Sequence, residues 1–303
     1  MSDNCGNAPS SAQYAEFAGI VQSKLWPAIK GRISGNDLQQ YFMTGPQGPE
    51  NVLLRLRNGF TVPQETGKII VPTDSPFFAS EEVSSNYDYP EGYAVKPICE
   101  QLVALSKHFP NFDAGPMLAC SKELPQMPGG AEGPFVVPKW QKVAATYNES
   151  FEKALGMIAG TRTLHNYRKG QLGPKHLRQS ERTQRAEEMI ASMQSGDYLL
   201  IWAQFGFRWR GRSVRKVRYN YAPNEFGIGA FHSACMLLSH PERLVQWEQL
   251  HIDCGGDEYF RDADGEFSVA PVFGFGGGKV KFGTYWVGGP IARYGSASGF
   301  LPQ

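Results

Sequence analysis

Glycine and proline interrupt this chain so often that many turns and short strands are favoured over long helical bundles. The sequence holds 34 glycines and 21 prolines among 303 residues. Turns need both residue types, because glycine accepts positive φ and proline fixes φ near −65°. With 41% apolar residues, the chain can still build a sizeable core. We therefore expect a globular fold of short elements.

The spacing of apolar residues predicts the type of those elements. Helical spacing indicates helices near residues 97–107, 140–158, 176–194 and 224–238. Strands are indicated by DYLLIWAQFGF, by a stretch ending in LHIDC, and by a hairpin of FSVAPVFGF and KVKFGTYWV around Gly276–Gly278. The strands do not alternate regularly with helices. We predict an α+β fold of mainly antiparallel strands with several packed helices.

A stretch rich in proline and glycine, residues 109–138, is the best candidate for a domain boundary. It predicts an N-terminal region, 1–130, of mixed helix and short strands that ends in a long loop. A helix over residues 14–25 and strands at 52–57 and 68–71 belong to this region. Residues 131–303 form the predicted C-terminal α+β domain.

Several features of the sequence predict a cytoplasmic protein. No stretch approaches the run of about 20 apolar residues that spans a bilayer, so a membrane partner is not expected. The start, MSDNCGNAPSSAQ, lacks the basic and apolar regions of a secretory signal. Five scattered cysteines do not form a disulfide framework and are expected to be reduced. No pattern in the sequence indicates an oligomeric state.

The formal net charge of +1 hides a strongly basic middle segment. Residues 161–218 hold 13 basic and 4 acidic side chains, and six of the basic ones lie between Arg208 and Arg218. Read as a strand, residues 205–221 place aromatic side chains on one face and nearly all the cations on the other. Gly211–Ser213 resembles a turn, so a hairpin with a two- or three-residue loop remains an alternative to a continuous strand.

A row of uncompensated cations calls for an external polyanion, and phosphate backbones are the commonest in a cell. We therefore predict that the protein binds nucleic acid or another polyanion, with Tyr167 positioned to stack on a base. In the alternative interpretation, acidic residues from 219–303 neutralise the cations internally. No zinc-finger spacing, aromatic RNP signature or bZIP heptad is present. The predicted polyanion-binding residues are Arg162, Arg168, Lys169, Lys175, Arg178, Arg208, Arg210, Arg212, Lys216 and Arg218.

An acidic segment, residues 251–266, provides a second candidate site. Six carboxylates fall within fourteen residues from Asp253 to Glu266, and hard cations such as Mg²⁺ or Ca²⁺ bind oxygen ligands of this kind. A metal-dependent hydrolase could use His251, Asp253, Asp257 and Glu258, with His251 as general base. Asp-Ala-Asp-Gly is also an ordinary turn sequence. Three interpretations therefore stay open: polyanion binding, divalent-metal hydrolysis, and a structural or interaction protein without catalysis.

Overall fold

The computed structural model describes residues 78–121, 124–262 and 265–302. The helix expected at residues 14–25 and the strands expected at 52–57 and 68–71 lie outside these residues. The described part contains seven α-helices, two short 3-10 helices and eleven strands in antiparallel and mixed sheets. This composition confirms the predicted α+β class. The division of the chain near residue 130 stays a prediction.

The helices and strands follow in chain order. The α-helices are α1 Ile98–Ser106, α2 Gly115–Cys120, α3 Trp140–Val143, α4 Tyr147–Thr161, α5 Glu181–Met193, α6 Val214–Asn220 and α7 Ala230–Ser239. The strands are β1 Gly133–Pro138, β2 Leu164–Asn166, β3 Leu177–Gln179, β4 Tyr198–Gln204, β5 Glu225–Gly227, β6 His251–Asp253, β7 Asp257–Tyr259, β8 Val269–Gly276, β9 Lys279–Trp286, β10 Tyr294–Ser296 and β11 Ser298–Phe300.

Most of the sequence-based elements are confirmed, but the helix expected at 140–158 is divided into α3 and α4, and two other helices begin later than expected. The fifth helix begins at Glu181, because Ser180 caps it by accepting a hydrogen bond from the Thr183 N–H, and residues 177–179 form β3 instead. The seventh begins at Ala230, because residues 225–227 pair with β11. Backbone pairing to strands distant in sequence is not visible in a local apolar pattern.

Helix α7 lies at the centre of the core, and all ten of its residues are buried. An apolar stripe on α4, formed by Phe151, Leu155 and Ile158, packs in the same core. A capping box between Thr146 and Glu149 begins α4. The longest described helix, α4, has 15 residues, and no described helix combines the length and apolar character needed to cross a bilayer.

Two sheets flank these helices. One is antiparallel, with strand order β1-β4-β11-β5, and its strand β4 is buried along its whole length. The other is mixed, and its central path runs β10-β6-β8-β9-β2. Phe273 of β8 and Phe282 of β9 face the core from this mixed sheet. Because side chains alternate along a strand, the residues on either side of Phe273 in β8 and of Phe282 in β9 point to the opposite, outer face.

Candidate functional site

The basic stretch from Arg208 to Arg218 does not form the extended strand that the alternation indicated. Residues 207–209 form a 3-10 helix and residues 214–220 form α6. The hydroxyl of Ser213 accepts a hydrogen bond from the Lys216 N–H at 3.0 Å and so begins α6. Both the continuous-strand and the hairpin interpretations are therefore wrong for this stretch.

The cations of this stretch have partners inside the protein. Glu82 pairs with both Arg212 and Lys216, and Lys216 is almost fully buried. Arg208 lies 3.4 Å from the buried carboxylate of Glu225. The guanidinium of Arg218 donates to the carbonyl of Gly255 at 2.9 Å, and that of Arg210 to the carbonyl of Tyr87 at 3.4 Å. These contacts match the internal-neutralisation alternative, although Glu82 comes from upstream of the basic segment.

The remaining predicted cations are spread over the molecule. Arg162 donates to the carbonyls of Pro241 and Leu244. Lys175 pairs with Asp262 and Arg178 pairs with Glu258, each at 2.8 Å. Lys169 is exposed. Of the ten predicted polyanion-binding residues, Arg168 is the one that lines the cleft described below.

The four predicted metal-site residues do not converge. His251 and Asp253 lie two residues apart on β6 and share its outer face. Asp257 instead accepts hydrogen bonds from the Tyr147 hydroxyl and the Ala230 N–H, and Glu258 pairs with Arg178. Within residues 78–121, 124–262 and 265–302, no group of three or more His, Cys, Asp or Glu side chains is arranged to hold a metal ion. The described geometry therefore gives no support to a metal site formed by His251, Asp253, Asp257 and Glu258.

A cleft of about 390 Å³ opens instead on the outer face of the mixed sheet. Cross-strand pairing joins His165 to Lys281, Lys281 to Gly274, and His251 to Tyr294. Gly274 also lies beside His251, because a Cβ atom on that glycine would be 2.9 Å from Nδ1 of the histidine. These five residues form one row across the strands β2-β9-β8-β6-β10.

Two glycines make this face concave. Gly274 and Gly283 occupy outward-facing positions on neighbouring strands, where other residue types would place a side chain. Removal of two adjacent side chains from a sheet surface leaves a depression, and longer neighbours become its walls. The wall beside Gly283 is Tyr167, whose ring lies 3.6 Å from the position that a Cβ atom of Gly283 would take.

Aromatic rings form most of the walls, and several of them are open to solvent. Large aromatic side chains are usually buried, but Tyr167 is 57% exposed, Trp247 47% and Tyr285 45%. A cluster of exposed rings around a concave surface is typical of a binding site rather than of ordinary packing. The aromatic residues that line the cleft are Tyr167, Trp247, Phe275, Tyr285 and Tyr294.

The cleft is electropositive. Arg168 and Lys281 line it, and no residue among its described lining carries a carboxylate. Neither cation forms an ion pair within the described part of the chain. Burial and, to a smaller extent, the positive charges of Arg293, Arg243 and Lys281 together lower the pKa of His251 to about 3. The imidazole is therefore neutral near pH 7.

The two cations lie towards opposite ends of the cleft. The guanidinium of Arg168 donates to Oγ1 of Thr284 at 2.7 Å. The ammonium of Lys281 instead extends past Gly276 towards Trp247, and lies 6.0 Å from the centre of that indole ring. Between these two ends, Gly283 of β9 and Gly274 of the neighbouring strand β8 form the floor of the cleft. A ligand in the cleft would therefore meet a positive charge at each end.

Sequence reasoning identified only part of this site. It named Arg168 and Tyr167, and it assigned His251 to a metal. It missed Gly283, Lys281 and Tyr285, although they alternate along β9 as one outward face. Comparisons with protein-family models, curated proteins and solved structures gave no match to this chain.

Proposed function

We propose that this protein binds single-stranded nucleic acid in the cleft on the outer face of the mixed sheet. One observation carries the proposal: exposed aromatic rings and two cations surround a concave surface whose described lining has no acidic residue. Proteins that bind single strands combine these two elements, because aromatic rings stack on bases and cations neutralise phosphates.

The aromatic walls support binding of bases. Stacking of one base on an aromatic side chain contributes about 1–3 kcal/mol and tolerates any sequence, since every base has a π face. Tyr167 and Trp247 are the rings most exposed to solvent among those that line the cleft. The guanidinium of Arg293 lies 3.8 Å from the centre of the Trp247 ring, which holds the indole in position.

The charge distribution supports an anionic ligand. Within the basic segment, Lys216 pairs with Glu82 and Arg208 lies beside the carboxylate of Glu225. At the cleft, by contrast, Arg168 contacts the neutral hydroxyl of Thr284 and keeps its charge available. Two cations at the ends of a cleft with aromatic walls suit a short segment of sugar-phosphate backbone.

The shape of the cleft supports a single strand rather than a duplex. A volume of about 390 Å³ falls in the range of pockets that enclose small ligands, on the scale of one or two nucleotides. Bases in a duplex are stacked and paired, so their faces cannot contact aromatic side chains on a protein. Unpaired bases can leave the stack and enter such a cleft.

Fluorescence anisotropy with a labelled oligonucleotide of mixed sequence tests the proposal. Trp247→Ala should weaken binding roughly five- to 150-fold, the loss of one stacked base. Trp286→Ala is the matched control. Trp286 is about as exposed as Trp247, but it lies on the face of β9 opposite Tyr285 and is not among the residues that line the cleft. Equal affinities of the two variants, or no binding by the wild type at low salt, would count against the proposal.

Salt dependence tests the role of the cations. Two phosphate contacts predict a slope of about −1.4 for log affinity against log salt, or roughly a sevenfold loss between 50 and 200 mM. Lys281→Ala should reduce the slope by about 0.7. Lys107→Ala, at the exposed end of α1, should leave it unchanged. A slope that is the same in all three proteins would show that Lys281 contacts no phosphate.

A further inference from the structure

The floor of the cleft presents two polar atoms above one glycine. A Cβ atom on Gly274 would lie 2.9 Å from Nδ1 of His251 and 3.3 Å from Oη of Tyr294. Only a glycine leaves this space open. The two side chains belong to paired positions on β6 and β10, so their separation is set by the sheet and not by flexible loops.

The hydrogen bond on the other side of the imidazole fixes which nitrogen carries the proton. The N–H of Phe275 donates to Nε2 of His251 at 3.3 Å. A neutral imidazole has one proton, so if Nε2 accepts, the proton is on Nδ1. His251 thus presents an uncharged N–H donor at the floor near pH 7.

That donor has no partner in the described protein. His251 is 1% exposed, and its Nδ1 makes no hydrogen bond to any described group. Buried polar atoms are satisfied in the great majority of cases, so an unsatisfied donor on the floor of a cleft indicates a ligand that supplies the acceptor. The acceptor must reach between aromatic walls, since the Trp247 and Tyr294 rings both contact the imidazole edge to face.

We propose that His251 Nδ1–H and Tyr294 Oη bind a carbonyl oxygen of a nucleobase, so that the cleft prefers thymine or uracil over adenine. This inference rests on the proposed function. Adenine has no carbonyl oxygen, and its amino group would oppose a donor with another donor. Thymine and uracil each carry two carbonyl oxygens. A phosphate fits the floor less well, because the available charges, on Arg168 and Lys281, lie towards the ends of the cleft.

The first experiment compares three ligands of equal length: oligo(dT), oligo(dA) and an abasic backbone. For the wild type we expect oligo(dT) to bind at least tenfold more tightly than oligo(dA), and the abasic strand to bind weakest. Equal affinity for all three would overturn the base-reading inference and leave a polyanion-binding cleft. Absence of binding to any strand would overturn this inference together with the proposed function.

A preference for oligo(dT) could also arise because oligo(dA) must unstack, so variants are needed to assign it to the floor. Tyr294→Phe removes only Oη, and His251→Phe removes the Nδ1–H donor. Each should lower the dT-to-dA affinity ratio at least threefold while the affinity for oligo(dA) stays the same. Lys107→Ala is the control and should keep the wild-type ratio. An unchanged ratio in Tyr294→Phe, together with a folded His251→Phe that also keeps it, would overturn the inference.

Nitrogen-15 NMR of the histidine side chains gives a measurement on the unmodified protein. Oligo(dT) should shift the Nδ1–H signal of His251, and the abasic strand should shift it less. A larger response to the abasic strand would assign the floor to phosphate and overturn recognition of a carbonyl. This measurement stays decisive even if His251→Phe fails to fold because the Phe275 N–H loses its acceptor.

Discussion

The hydroxyl of Tyr147 donates a 2.8 Å hydrogen bond to the carboxylate of Asp257, and both side chains are buried. Burial raises the pKa of Asp257 to about 7, although this bond and the Ala230 N–H act in the opposite direction. The pair joins the start of α4 to β7, beside the first turn of α7. The hydrogen bond between Tyr147 and Asp257 therefore stabilises the packing of three core elements.

Tyr147→Phe should destabilise the protein by about 1–3 kcal/mol, because a buried acceptor loses its donor. The loss should be larger at pH 8 than at pH 5, since the bond favours the ionised carboxylate that predominates above pH 7. Urea denaturation at the two pH values measures both effects. Tyr167→Phe, at an exposed tyrosine, is the control and should change the free energy of unfolding little at either pH. A loss that is greater at pH 5 would contradict this account.

Asp253→Asn should stabilise the protein, and increasingly so at higher pH. Burial raises the pKa of Asp253 from 3.8 to about 7, with Arg218 opposing the shift. The pKa of Asp253 is therefore higher in the folded state than in the unfolded state. The contribution of its protonated side chain to stability is complete below about pH 4 and is lost as pH rises through 7. We expect the advantage of Asp253→Asn to grow by on the order of 2 kcal/mol between pH 5 and pH 8.

Thermal or urea unfolding across that pH range measures the advantage. Asp262→Asn serves as the comparison, because the pKa of the fully exposed Asp262 is lowered, chiefly by its hydrogen bond with Lys175. That variant should show no gain as pH rises. A stability difference between Asp253→Asn and the wild type that is constant from pH 5 to pH 8 would show that Asp253 ionises normally.

Glu82→Gln should lower stability by roughly 1–3 kcal/mol near pH 7, because the buried ammonium of Lys216 loses its counter-charge. Because Glu82 is partly exposed, we expect a loss of stability towards the lower end of this range. Hydrogen bonds from Lys216 and Arg212 lower the pKa of Glu82 against the opposing effect of burial. The stabilisation is therefore present above about pH 4.5 and is lost as pH falls through the folded pKa.

Glu181→Gln is the matched control for that substitution. Glu181 pairs with Arg185 one turn along α5, and both side chains are mostly exposed. Exposed pairs of this kind contribute only a few tenths of a kcal/mol. Urea denaturation at pH 7 should show a larger loss in the free energy of unfolding for Glu82→Gln than for Glu181→Gln. Equal losses would mean that the Glu82 pairs are no stronger than a surface pair.

Gly283→Val should fill the cleft without unfolding the protein. A Cβ atom there would lie 3.6 Å from Cδ2 and 4.0 Å from Cβ of Tyr167, which is ordinary contact, and β-branched residues suit strands. We expect a weakening of oligonucleotide binding of at least tenfold with a nearly unchanged unfolding midpoint. Gly227→Ala is the contrasting variant: its Cβ would lie 2.4 Å from the Gly256 nitrogen, so it should lose much of its stability. Unaltered binding by Gly283→Val would place the ligand elsewhere.

The sequence by itself determined the elements that depend on local periodicity. The hairpin around Gly276–Gly278, the stripe on α4 and the buried strand β4 all follow from patterns of apolar residues over one segment. The α+β class follows in turn, because the order of strands and helices does not build a regular parallel sheet.

Tertiary structure decided the arrangement of charges and the cleft. The basic segment appears uncompensated in the sequence, but Glu82 reaches Lys216 across 134 positions. The floor of the cleft likewise combines Gly274, His251 and Tyr294 from three strands. Local patterns report which face a residue takes, whereas long-range pairing selects its neighbours. Coulombic and hydrogen-bond energies depend on those neighbours, so the site could be described only once the strands were in register.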